Sequence, residues 1–203
     1  MKPKPTKNLP DNYVLHRKLS LLDRKSLILV NLWGFALFVV SAVFFPLLAR
    51  WLSGAENTNT DFMAIGRTGI AGFIGLLVGV TVVMIVVHEG LHGLFFWLYT
   101  HEKPRFAFKG FYAYAAMPGW YLPRREYLIT ALAPLVGITV LGVLGLALLP
   151  GKADAPLLLL LILNTSGAVG DLWIAGALLR APAGVLGSDS GDSAELYVPE
   201  NNT

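Results

Sequence analysis

Four long apolar runs constrain the fold of this chain more than any other feature. They extend from about Ser26 to Leu52, Thr68 to Tyr99, Tyr127 to Leu149 and Pro156 to Leu179. Each holds roughly the 20 apolar residues that a helix needs to cross a hydrocarbon core about 30 Å thick. Lipid offers the backbone no water, so such runs satisfy their own N–H and C=O groups by becoming helices. A soluble helical protein has room to bury one run of this kind, but hardly four in 203 residues. The expected fold class is an all-α integral membrane protein with four transmembrane helices. The charged fraction agrees: it is 14%, where soluble domains carry about 25%. There are no cysteines, which excludes disulfides, thiolate metal ligands and a cysteine nucleophile. The first run follows about 25 polar residues and is too long for a signal-peptide core, so it reads as a retained anchor.

Basic residues set the orientation. Seven Lys or Arg lie from Lys2 to Lys25, and five from Lys103 to Arg125. The segments on the other side, Ser53 to Arg67 and Pro150 to Ala155, contain only Arg67 and Lys152. Positive flanks remain on the cytoplasmic side. The expectation is a multi-pass plasma-membrane protein with both termini cytoplasmic, in contact with membrane lipids and with no nucleic-acid partner. Its expected organisation is a basic cytoplasmic segment over residues 1–25, a four-helix membrane domain over 26–180 and a tail over 181–203. The tail is rich in Gly, Ser and Asp, a composition expected to be disordered.

The connection between the second and third helices has strand character. Aromatics alternate along Phe106, Phe108, Tyr112 and Tyr114, and Pro118-Gly119 then marks a turn. The pattern predicts a short β-hairpin or irregular strand pair at the inner interface. An aromatic belt at headgroup level is the other reading. In the hairpin reading, Phe108 and Tyr112 are candidate contacts for a substrate segment.

Ionisable residues are rare deep inside the four runs. The first and third have none, the second has His88, Glu89 and His92, and the fourth has Asp171. Charged groups in lipid are expensive and mark function. His88 and His92 are four apart and share one helical face, so both imidazoles can bind one Zn²⁺. Glu89 lies beside that face as a general base that takes a proton from water and passes it to the leaving amine. A polar cluster that joins helices is the competing reading of the group. A catalytic zinc takes three protein ligands, and Asp171 is the expected third. His92 lies about 12 Å, and Asp171 about 13.5 Å, before the inner ends of their parallel helices. Glu102 and Glu126 are rival ligands placed at the interface. Asn164, seven residues before Asp171, faces nearly the same way. It would orient a ligand, donate to the substrate carbonyl or form an interhelical hydrogen bond.

These elements resemble a known arrangement. An HExxH helix, an aromatic loop, a helix and a further helix with an acid among small residues are similar to the catalytic core of site-2 proteases. More closely, the chain resembles the Putative zincin peptidase family of small prokaryotic membrane proteins. The shared residues are Leu9-Pro10-Asp11-Asn12-Tyr13, His88-Glu89-Gly90-Leu91-His92, Glu126-Tyr127 leading into Ala133-Pro134-Leu135, and Asn164 through Gly170-Asp171. The resemblance implies His88, His92 and Asp171 as zinc ligands and Glu89 as catalytic base. It departs from site-2 proteases after the acid, where Leu172 stands in place of their usual glycine. The implied function is a membrane zinc metalloprotease acting on a transmembrane or membrane-associated protein near the cytoplasmic face. The alternatives are a non-catalytic zinc-binding regulator and a small metal or proton transporter. Oligomeric state is not legible in the sequence.

Overall fold

A computed structural model describes residues 4–20, 23–53, 69–110, 112–149 and 154–202. The first three apolar runs form helices α1 (Arg24–Ser53), α2 (Gly69–Thr100) and α3 (Arg124–Leu148). Each is long and apolar enough to cross a membrane. The fourth run is divided into α4 (Asp154–Gly167) and α5 (Val169–Arg180), which bend by 45° at their junction and together pass the same test as one span. Gly167, a poor helix former, closes α4 one residue before buried Ala168. The break places Asp171 in the first turn of α5, where unpaired N–H groups and the helix dipole favour a carboxylate.

The all-α expectation is corrected, because the mostly helical chain also carries two small antiparallel sheets. One is the expected hairpin, β2 (Arg105–Phe108) with β3 (Ala113–Ala116). The other has four strands in the order β1-β6-β5-β4. It joins β1 (Tyr13–Ser20) and β4 (Leu122–Pro123) to β5 (Leu186–Asp189) and β6 (Ser193–Pro199). Residues 181–203, expected to be disordered, therefore hold two strands, followed by a 3₁₀ turn at Glu200–Asn202. The physical reason is the period-2 pattern of β6: Ala194, Leu196 and Val198 are buried, while Ser193, Glu195 and Tyr197 point to the other face. The Gly, Ser and Asp residues before it form β5 and the turn at 190–192 rather than a solvated coil. A bulge between Leu15 and Arg17 interrupts the β1–β6 register, and Tyr13 is tied down by its hydroxyl donating to the Gly184 carbonyl.

The chain forms two compact units. One comprises Met1–Asn31, Glu89–Ala133 and Val169–Thr203. Its core gathers Phe96 of α2, Tyr127 of α3, Ile174 and Leu178 of α5, and Leu122, Leu196 and Val198 of the four-stranded sheet. The other comprises Leu32–His88 and Pro134–Ala168. Its core gathers Phe45 and Ala49 of α1, Leu146 of α3, and Leu158, Leu161 and Ile162 of α4. Within it α3 and α4 approach closely, since a Cβ on Gly142 or Gly145 would run into Leu161 or Leu157.

Candidate metal centre

The HExxH segment lies in the C-terminal half of α2. No proline interrupts that helix, so His88 and His92 stand one turn apart on one face. Both are buried, at 8% and 9% exposure. Each ring is held through Nδ1. His92 Nδ1 is 2.8 Å from the Thr130 carbonyl of α3. His88 Nδ1 is 3.1 Å from Asn164 Oδ1 of α4. These oxygens accept only, so in both rings Nδ1 carries a proton, which leaves Nε2 as the ligating nitrogen of the Nδ1–H tautomer. Metal-ligating histidines take that tautomer, with the remote N–H on a carbonyl or carboxylate. Asn164 is fully buried, and its Nδ2 faces the Leu135 carbonyl at 3.5 Å. That contact turns the amide oxygen toward His88.

Asp171 Oδ1 is 3.3 Å from His92 Nε2. One ligand atom from each of His88, His92 and Asp171 lies within 4.8 Å of the other two. Zinc bonds of about 2.0–2.2 Å in a tetrahedron put neighbouring ligand atoms about 3.3–3.6 Å apart. The His92–Asp171 spacing has that length. Two imidazoles and one carboxylate are a donor set that would hold Zn²⁺. Glu89, one residue from the first ligand, accepts the Ala115 N–H of β3 through Oε2 at 2.7 Å.

The remaining sequence candidates belong to the β2–β3 hairpin. Phe108 is exposed on β2. The Tyr112 hydroxyl donates to Asp192 Oδ1 at 2.6 Å, on the turn between β5 and β6. Three contributors were missed in the sequence. The Thr130 carbonyl and the Ala115 amide are backbone groups and leave no residue signature. Asp189 of β5 accepts the Tyr127 hydroxyl and the Gly191 N–H, both at 2.8 Å. Burial pushes the Asp189 carboxyl up from its ordinary range, against these two donors and the nearby His92, which favour the anion. The alternation through β6 was the available signal for the strand pair that carries it.

The profile of a protein family described as Putative zincin peptidase matches residues 81–186, over half of the chain. The matched segment contains the whole HExxH motif, Asn164 and Asp171. No curated protein and no solved structure matches the chain.

Proposed function

Since the chain belongs to the Putative zincin peptidase family, we propose that it is a membrane-embedded zinc metalloprotease, similar to site-2 proteases. In this reading it cleaves a transmembrane or membrane-associated protein at or near the cytoplasmic side of the bilayer. The observation that carries the proposal is the gathering of ligand atoms of His88, His92 and Asp171 within 4.8 Å of one another, with Glu89 following His88 in the sequence. Bound zinc supplies Lewis-acid polarisation of the scissile carbonyl and acidifies water. Thr130 and Asn164 hold the two imidazoles in their ligating orientation. Glu89 takes the proton of the attacking water and delivers it to the leaving amine. The Ala115 amide fixes the carboxylate for that task.

Backbone geometry supports a place for the substrate. Ala115 is opposite Phe106 in the hairpin, and its N–H turns away from β2 toward Glu89. Among the described residues β3 pairs only with β2. An extended peptide added along the other edge of β3 would bring its carbonyls to the Glu89 side. Membrane placement is supported by the large apolar side chains that α1 and α2 expose, among them Trp33, Phe35 and Ile70. These faces suit hydrocarbon rather than water. The basic residues at Lys2–Lys25 and Lys103–Arg125 favour the cytoplasmic side for both termini.

The test uses wild type, Glu89→Gln and Asp171→Ala, purified in detergent and assayed for zinc content and peptide cleavage. Glu89→Gln is expected to retain zinc and lose cleavage, and Asp171→Ala to lose zinc affinity. Full cleavage by Glu89→Gln refutes the mechanism. Zinc-loaded wild type that cleaves no membrane-protein substrate favours a regulator, and zinc flux into liposomes that depends on these residues favours a transporter.

A further inference from the structure

The turn between β5 and β6 reaches both halves of the candidate centre. On one side, Asp189 accepts the Tyr127 hydroxyl at 2.8 Å. Tyr127 is 1% exposed, and Gly187 lies so close against its ring that a Cβ there would collide with it. Thr130 follows Tyr127 by three residues on α3, hence on the same face. Its carbonyl holds His92 Nδ1. On the other side, Asp192 accepts the Tyr112 hydroxyl at 2.6 Å and pairs with the Lys109 ammonium. The Tyr114 ring packs over Gly191, whose φ of +89° and lack of Cβ both suit glycine. The residue after Tyr114 is Ala115, whose amide holds Glu89. Asp189 and Asp192 thus bind the hydroxyls of Tyr127 and Tyr112, each three residues before the group that holds a metal ligand or the general base.

We propose that the β5–β6 turn is a positioning element of the active centre: Asp189 acts through Tyr127 on His92, and Asp192 acts through Tyr112 on Glu89. The proposal rests on the metalloprotease reading above. Asp189 and Asp192 both lie beyond the segment matched by the family profile. The rationale is geometric, since misplacing a catalytic group by about 1 Å can cost about 100-fold in rate.

Two variants that each delete one hydroxyl test it in the full chain, with Co²⁺ substituted for zinc so that visible absorption reports ligand geometry. Tyr127→Phe is expected to shift the Co²⁺ bands. Tyr112→Phe is expected to leave the bands unchanged and lower kcat by about tenfold at constant KM. A tyrosine that touches substrate would raise KM instead. Unchanged bands in Tyr127→Phe overturn the proposal, as does an unchanged kcat, a raised KM or shifted bands in Tyr112→Phe. If Tyr127→Phe does not fold, Asp189→Ala, which removes the acceptor of the Tyr127 hydroxyl, carries the same expectation. A wild type that binds Co²⁺ and cleaves nothing refutes the protease reading, while the bands of Tyr127→Phe still decide the Asp189 arm.

Discussion

Replacing Asn164 by leucine should weaken zinc binding although Asn164 is not a ligand. Its Oδ1 is the acceptor for His88 Nδ1–H at 3.1 Å, and the residue is fully buried. Leucine has a similar branched shape and no acceptor. Loss of an outer-shell partner of a ligating histidine costs about 10–100-fold in metal affinity. At about 1.4 kcal/mol per decade this corresponds to about 1.4–2.8 kcal/mol. A separate cost falls on the fold, because the His88 N–H and the Leu135 carbonyl both lose a buried partner, at about 1–3 kcal/mol for each unsatisfied group. The Leu135 contact is long, 3.5 Å, so its share belongs at the low end. Competition against a fluorescent zinc chelator in detergent gives the affinity, and a thermal melt of the metal-free protein gives the second cost. Asn164→Asp keeps an acceptor in place and should recover most of the affinity. Wild-type zinc affinity in Asn164→Leu would show that His88 needs no orienting partner and would refute the reasoning.

Two further predictions concern the C-terminal sheet. Gly187→Ala places a Cβ into the buried Tyr127 ring, and overpacking of this kind costs about 1–3 kcal/mol; a melting temperature equal to wild type would show that the ring can yield. Glu195 carries a pH dependence: the Lys18 ammonium, and then the Tyr197 hydroxyl, hold its carboxyl below the ordinary value of 4.5. Its stabilisation is therefore complete above that value and lost as pH falls through the lower folded-state value. Melts across this acidic range should show a shallower pH dependence for Glu195→Gln than for wild type, and identical slopes would exclude the pair as a contributor.

Much of the centre was legible because it depends on short spacings. His88 and His92 share a face by helical period alone, and Asp171 stood out as the one other ionisable group deep in an apolar run. Asn164 was visible as a polar residue near the same face, but its role was not, because hydrogen-bond choice depends on which helix stands opposite. Tyr112 shows the converse. Its alternation correctly indicated a strand pair, yet the hydroxyl goes to Asp192, 80 residues away in the chain.

The tail was misread for a related reason. Its composition averages turn residues with a short strand, and the alternation of Ala194, Leu196 and Val198 gains meaning only beside a partner. That partner is β1, which pairs Tyr13 with Pro199 across nearly the whole chain. Hydropathy and the HExxH spacing thus made the apolar helices and the residue types of the candidate metal centre legible, since both follow from local composition and period. Tertiary structure alone decided which groups orient the histidines and Glu89, and that β1 and β6 pair in one sheet. Those features rest on contacts between residues far apart in sequence, which no local pattern encodes.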